Sequence, residues 1–195
     1  MTILLLAVIY IAFISLGLPD ALLGVGWPLM HQEFSAPLSM VGWIFMTIAG
    51  GTILSSILSG KLLEHFDTKQ VTFGSTLLTA LCLFGFYWAP SIGWLFALAI
   101  PLGLGAGAVD VALNHYVAEH YEAHHMNWLH CFWGIGATGG PLVMAGVLTE
   151  NGWRDGYLII AAVQFGLALV LLLSFPLWKQ KGQSISQHQE TAVTT

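Results

Sequence analysis

The sequence predicts an all-α integral membrane protein with six membrane-spanning helices. Hydrophobic residues make up 56% of the 195-residue chain and Asp, Glu, Lys and Arg only 8%, whereas soluble domains carry about 25% charged residues. The forty residues between Lys69 and Asp110 contain none of these four types. Because one span needs about 20 apolar residues, this run holds two spans and a turn. The five basic residues are too few for a phosphate-binding surface, which excludes nucleic-acid binding.

Six apolar segments lie between polar stretches of the chain. They cover approximately 3–29, 40–59, 71–89, 94–117, 127–148 and 157–178. The first five end, in order, at MHQEFSAPLS, GKLLEHFDTK, APSIG, AEHYEAHH and TENGWRDG. Only helices and closed barrels span bilayers, and the runs lack the alternation of barrel strands. The first segment lacks a basic n-region and is longer than a signal peptide's apolar core, so it is a retained span.

These segments define the predicted domain organisation. We predict a six-helix transmembrane bundle over residues 1–178. The remainder, KQKGQSISQHQETAVTT at 179–195, has almost no large apolar residues. Such a composition cannot form a core, which predicts a polar, disordered cytoplasmic tail.

The basic residues predict the orientation of the bundle. With the N-terminus inside, four lysines are cytoplasmic and only Arg154 is outside; the lysines are Lys61, Lys69, Lys179 and Lys181. This distribution obeys the positive-inside rule. We therefore predict a multi-pass protein of a bacterial-type inner membrane with both termini in the cytoplasm.

Two carboxylates interrupt the apolar spans. Asp20 lies in the first span and Asp110 in the fourth. An acidic group at the centre of a membrane helix costs at least roughly 2.5–3.5 kcal/mol and usually faces a bundle interior or a watery cavity. Asp110 and Asn114 lie on one helical stripe with Gly103 and Gly107, and small residues on such a stripe let another helix approach closely. We predict that Asp110 and Asp20 handle protons; the alternative is hydrogen bonding between helices.

The first span is also predicted to be broken. Five helix-breaking residues surround Asp20, namely Gly17, Pro19, Gly24, Gly26 and Pro28. Proline removes a backbone donor and clashes with the preceding turn. Interrupted helices near mid-membrane indicate substrate and ion sites in transporters, although an ordinary proline kink is the alternative.

The fifth span supplies further candidate ligands. Asn127, His130, Gly134, Thr138 and Pro141 recur every three or four residues and share a helix face. We predict that His130 offers a hydrogen bond and Trp133 a stacking plane to a polar solute, with Asn114 and Gln164 as additional substrate-binding residues. An interhelical hydrogen bond is the alternative for His130.

These stretches resemble the N-terminal half of a major facilitator superfamily transporter, and most of all the fucose:proton symporter group. The resemblance is carried by Asp20 in the first span, by GLGAGAVDVALNHYVAE in the fourth, and by HHMNWLHCFWGIGATGGPL in the fifth. It covers nearly all of residues 3–178 and implies one half of a major-facilitator-type fold, with the six helices arranged as two three-helix repeats. It implies that Asp20 and Asp110 correspond to the group's proton- and sugar-linked acidic residues.

The loop between the second and third spans matches the superfamily only partly. The family pattern G-x-x-x-D-R-x-G-R-R is similar to GKLLEHFDTK. Gly60 is kept, Glu64 stands at the Asp position and Lys69 keeps one basic position, while Asp67 replaces the second Gly. By resemblance Gly60, Glu64 and Lys69 form a gating loop.

The predicted function is secondary active transport of a small polar solute, favouring a sugar, by proton symport across the lipid bilayer. Relatives of this family have twelve spans in two halves, so this chain is expected to form half of the carrier. The second half comes from another copy, from another chain or from the rest of a longer carrier. No cofactor and no enzymatic activity are predicted, since neither a nucleophile–base pair nor a phosphate loop occurs.

Three alternatives remain open from the sequence. The chain could be a non-transporting structural or assembly half, or a truncated fragment. It could transport or sense a metal ion, because His120 and His124 lie four residues apart and would face the same way on a helix. A haem protein or membrane enzyme is the third alternative.

Overall fold

The computed structural model describes residues 2–148 and 152–178, and this part of the chain is helical without strands. The helices are α1 (Thr2–Gly17), α2 (Leu22–Glu33), α3 (Met40–His65), α4 (Thr68–Tyr87), α5 (Ile92–His120), α6 (His124–Leu148) and α7 (Trp153–Leu173), followed by a 3₁₀ helix, Phe175–Leu177. With α1 and α2 counted together as one span, the described part of the chain has six helical spans that are long and apolar enough to cross a membrane. The prediction of an all-α, six-span membrane protein is confirmed. The predicted tail, 179–195, lies outside the described residues.

Three helices are longer than the apolar segments that predicted them. α3 continues through His65 rather than ending near residue 59, α5 continues to His120, and α6 already begins at His124. The added turns contain Lys, Glu, Leu and His, and the first three are good helix formers. Because these polar residues also form helix, the connections between α3 and α4 and between α5 and α6 are shorter than expected.

Asp67 explains the abrupt turn between α3 and α4. It precedes the first residue of α4 in extended conformation and forms a capping box with Gln70. The Asp67 N–H donates to Gln70 Oε1 at 3.0 Å, and the Asp67 side chain accepts from the Gln70 N–H. This satisfies backbone donors that the helix itself leaves unpaired.

Replacing this cap gives a first testable prediction. Asp67→Ala is expected to lower the free energy of unfolding by about 1 kcal/mol, the usual cost of losing an N-cap side chain. Asp67→Ser, which can still accept the Gln70 N–H, should restore most of the loss. Thermal unfolding in detergent, followed by circular dichroism, measures both variants. Equal losses for Ala and Ser would contradict the capping role.

α3 and α5 are joined by a close glycine contact. A Cβ added at Gly103 would meet the backbone oxygen of Ile48, and one added at Gly107 would lie 2.5 Å from the carbonyl oxygen of Thr52. The Thr52 hydroxyl donates to the Gly103 carbonyl at 3.2 Å. The prediction that the small residues of this stripe admit a neighbouring helix is confirmed, and α3 is that neighbour.

α1 and α6 are joined in the same way. A Cβ at Gly136 would meet the backbone oxygen of Ile14, and one at Gly140 would meet that of Leu18. The two main close pairs are thus the first span with the fifth and the second with the fourth, while α4 packs on α5 and on α7. If spans one to three are matched in order with spans four to six, the pair of spans one and five corresponds to the pair of spans four and two. This symmetry is the one expected of two three-helix repeats.

The two ends of the bundle carry different polar groups, and we name them by one residue each. At the Glu33 end, Arg154 donates to both Glu33 oxygens at 2.6 and 2.7 Å and to the Ala89 carbonyl at 2.8 Å. The Trp153 indole donates to Glu33 at 2.7 Å. These contacts join α2, the α4–α5 turn and α7. The Lys61 end contains the end of α3, the start of α4 and the α5–α6 turn.

Candidate functional site

The first span is broken as the sequence predicts. α1 ends at Gly17 and α2 begins at Leu22. Between them the Asp20 N–H donates to the Gly17 carbonyl and the Leu22 N–H to the Pro19 carbonyl, each at 3.2 Å. These bonds reach back three residues rather than four, which tightens the turn. Asp20 lies at this turn with its side chain exposed.

The break leaves one carbonyl without its helical donor, and Gln164 supplies the missing bond. Pro19 has no N–H, so the Ser15 carbonyl four residues earlier loses its usual partner. The Gln164 amide donates to that oxygen at 2.8 Å, and Gln164 is only 3% exposed. Neighbouring helices are expected to satisfy such freed groups in a membrane. The contact is structural, and the role of Gln164 as a solute ligand stays a prediction.

Trp133 connects α6 to the broken span. Its indole Nε1–H donates to Asp20 Oδ2 at 2.9 Å, while the side chain remains 39% exposed. Hydrogen bonds to an ionised acceptor are about twice as strong as neutral ones. Trp133 therefore orients the Asp20 carboxylate and still presents part of its ring to the open side of the bundle.

Asp110 and Asn114 form a second polar pair, on α5. The Asn114 amide donates to Asp110 Oδ1 at 3.0 Å and to the Asp110 carbonyl at 2.9 Å. Both residues are half-buried. The four-residue spacing that placed them on one stripe thus also lets the amide hold the carboxylate. One carboxylate oxygen of Asp110 is engaged by this bond.

The two carboxylates and His130 are electrostatically linked. The Asp20 and Asp110 carboxylates are near enough for their charges to interact, and a positive charge on His130 would stabilise the Asp110 carboxylate. Asp20 and His130 are exposed in the bundle, as is Thr138 further along α6. Polar groups at membrane depth face a watery cavity or another protein rather than lipid. We call the face formed by Asp20, Asp110, Asn114, His130 and Trp133 the polar face.

Apolar clusters lie toward the two ends of the bundle. Toward the Glu33 end the buried cluster contains Leu22, Phe86 and Tyr157. Toward the Lys61 end a second cluster contains Phe13 and Leu113. Asp20 and Asp110 lie within the lengths of their spans rather than in the loops, so the polar face belongs to the interior of the membrane region.

The gating-loop residues lie at the Lys61 end, away from the polar face. Gly60 and Glu64 belong to the last turns of α3 and Lys69 to the first turn of α4, so most of the predicted loop is helical. Lys69 is 3.7 Å from Asp67 and 5.9 Å from the ring centre of Phe175. Their gating role stays a prediction.

The condition for a shared helix face of His120 and His124 is not met, because the two residues belong to different helices. α5 ends at His120 and α6 begins at His124, so the four-residue spacing crosses a turn. His120 stacks on Tyr116, whereas His124 is 3.3 Å from Glu122. Within residues 2–148 and 152–178, no three His, Cys, Asp or Glu side chains are placed to hold a metal ion.

A Tyr–His contact at the Lys61 end was not anticipated from the sequence. The Tyr10 hydroxyl of α1 and His125 Nδ1 of α6 are 2.6 Å apart, and Tyr10 stacks on Phe132. In the adjoining turn, burial raises the pKa of Tyr121 to about 12, and the nearby phenols of Tyr116 and Tyr10 add to the rise. Tyr121 therefore stays neutral at physiological pH.

Comparison with known proteins places this architecture in a family. The family model of the Major Facilitator Superfamily matches residues 9–192. A protein named probable sulfoacetate transporter, from Cupriavidus necator, is 29% identical over 78% of this chain and 36% of its own length. A glucose/mannose transporter of Bacillus subtilis is 22% identical over 95% of this chain and 46% of its own.

A third relative extends the range of named solutes. The 4-hydroxybenzoate transporter of Acinetobacter baylyi is 20% identical over 82% of this chain and 36% of its own length. The chain thus spans between about a third and a half of the length of these curated relatives. The six apolar spans within the described residues make it a multi-pass membrane protein. The chain belongs to the major facilitator superfamily.

Proposed function

We propose that this chain forms one six-helix half of a carrier that couples the movement of protons to the uptake of a small polar solute, favouring a sugar. The observation that carries the proposal is the polar face. Two carboxylates from different spans, Asp20 and Asp110, are near enough there for their charges to interact. A carboxylate that gains and loses a proton within a membrane is the usual chemistry of proton-coupled transport.

The arrangement around Asp110 suits a coupling role. Asn114 holds one carboxylate oxygen, and His130 lies near enough to attract the charge. Protonation of Asp110 would remove its repulsion of Asp20 and any attraction for a positively charged His130. A single proton would thus change the interactions of residues on three spans. Asp20, held by Trp133 at 2.9 Å, is the second proton-handling residue of the proposal.

The proposed solute contacts are Asn114, His130 and Trp133. They offer an amide, an imidazole and an indole ring, which together suit hydroxyl-rich solutes of mixed polarity. The described basic residues Lys61, Lys69 and Arg154 lie at the ends of the bundle, so the polar face has no fixed cation for an anionic solute. This favours a neutral sugar over the organic acids named for two of the relatives.

The proposed carrier needs a second half. The polar face is open: Asp20 and His130 are exposed, and Trp133 is 39% exposed. Superfamily carriers hold substrate between two halves near mid-membrane. In the proposed assembly the second half covers the polar face, both termini lie in the cytoplasm of an inner membrane, and Gly60, Glu64 and Lys69 act at the cytoplasmic gate. A non-transporting structural half remains the alternative function.

Uptake into proteoliposomes tests the proposal. The chain, reconstituted with its second six-helix half, is expected to accumulate a labelled monosaccharide when the outside is made acidic. A protonophore should return accumulation to the level of empty liposomes. Accumulation that is unchanged by the protonophore would contradict proton coupling. Absence of uptake for a panel of sugars and organic acids would favour the structural half.

A further inference from the structure

A groove between α3 and α5 at the Lys61 end is not used by the proposed transport cycle. Its volume is about 400 Å³, within the range of sites for small ligands. Leu58, Leu62, Phe66 and Leu104 give it an apolar wall, and Lys61 and His65 also line it. The groove therefore combines an apolar surface with a cationic side chain.

The groove has the length of one membrane leaflet. Its lining on α3 begins at Ser55 and continues to His65, ten residues further, which corresponds to about 15 Å of helix. The hydrocarbon core of a bilayer is about 30 Å thick. Leu58 and Phe66 are each about half exposed, so the wall is accessible from the side of the bundle.

Lys61 differs from the other described cations because it has no anionic partner among the described residues. Lys69 is 3.7 Å from Asp67, and Arg154 is bound to Glu33. No carboxylate in residues 2–148 and 152–178 comes within 4.0 Å of the Lys61 ammonium. His65 is held beside it by a 3.0 Å hydrogen bond with the Lys61 carbonyl.

We infer that this groove binds one anionic phospholipid. The Lys61 ammonium contacts the phosphate of the headgroup, and an acyl chain lies along Leu58, Leu62 and Leu104. A helix of a second protein half fits less well, because it would bury the Lys61 ammonium without a partner, and burying an unpaired charge is costly. A free phosphate would leave the apolar wall unused. The combination of charge and apolar groove matches an amphiphile.

Lipid titration of the purified full chain in an uncharged detergent tests the inference. The probes are fluorescent phosphatidylglycerol and phosphatidylcholine with the same acyl chains. One lysine near an anionic lipid is worth about 1 kcal/mol, so we expect phosphatidylglycerol to bind about five-fold more tightly. Lys61→Ala should remove this preference and Lys61→Arg should keep it. Lys69→Ala, which deletes the same charge at a paired site, should also keep it.

A second variant tests the apolar part of the site. Leu104→Trp fills the groove and is expected to weaken the binding of both lipids at least five-fold. Leu58→Phe serves the same purpose if the Leu104→Trp variant does not fold. Equal losses for Lys61→Ala and Lys69→Ala would overturn the inference in favour of diffuse surface charge. Competition by glycerol 3-phosphate at equal concentration would overturn it in favour of a phosphate site. Loss of lipid binding on adding the second half would assign the groove to a protein partner.

Discussion

Asp110→Asn is expected to abolish solute accumulation driven by a pH gradient, with a reduction of at least about ten-fold. Asparagine keeps the size of the side chain but cannot take up or release a proton. The electrostatic interactions of Asp110 with Asp20 and His130 would also be lost. The measurement is uptake of a labelled solute by proteoliposomes that contain the variant and its second half, with an acidic exterior.

The matched control is Asp155→Asn. Asp155 lies in the first turn of α7, at the Glu33 end and away from the polar face, and the substitution makes the same chemical change. Its uptake should equal that of the unmodified chain. Proton handling by Asp110 would be refuted if the Asp110→Asn protein inserts normally, binds solute and still accumulates it against the solute concentration gradient. The same result for Asp20→Asn would restrict the proposal to Asp110.

Gly136→Ala is expected to destabilise the bundle by about 3 kcal/mol, the upper part of the range for overpacked contacts. The added Cβ would meet the backbone oxygen of Ile14. A clashing side chain could adopt another rotamer, but the helix backbone of α1 cannot move out of the way alone. The substitution must therefore separate α1 from α6. Because Trp133 on α6 holds Asp20 beside α1, the 2.9 Å hydrogen bond between them should be disturbed as well.

The same helix provides the control for this substitution. A Cβ at Gly134 would have no atom within 4 Å, so Gly134→Ala should be neutral or slightly stabilising through better helix propensity. Thermal unfolding in detergent, monitored by labelling of the buried Cys82 thiol in a Cys131→Ser background, compares the two. Similar unfolding temperatures for both variants would show that the α1–α6 contact is more tolerant than its geometry indicates.

The sequence was sufficient for the span count and for the break in the first span. Both follow from strong local signals: long apolar runs, and Pro19 beside Asp20 among glycines. It was less successful at helix ends. The fourth span was predicted to end near residue 117 and the fifth to begin near 127, whereas α5 continues to His120 and α6 begins at His124.

The residues of the polar face were predictable, but their partners were not. A three- or four-residue spacing assigns Asp110 and Asn114 to one face, and their hydrogen bond follows from that spacing alone. The bond between Trp133 and Asp20 joins positions 113 residues apart, and no local pattern encodes it. Pro19 indicates that the Ser15 carbonyl needs a donor, whereas only the packing of α7 identifies Gln164 as that donor.

The two glycine-locked helix pairs have a mechanical consequence. Asp20 is attached to the α1–α6 pair through Trp133, and Asp110 belongs to the α3–α5 pair, while α5 touches α1 and α6 only sparsely. The boundary between the two closely packed pairs thus runs between the two acids. If the two pairs slide along this boundary during the proposed transport cycle, the gap between the two carboxylates changes with them, and proton loading would be linked to helix movement.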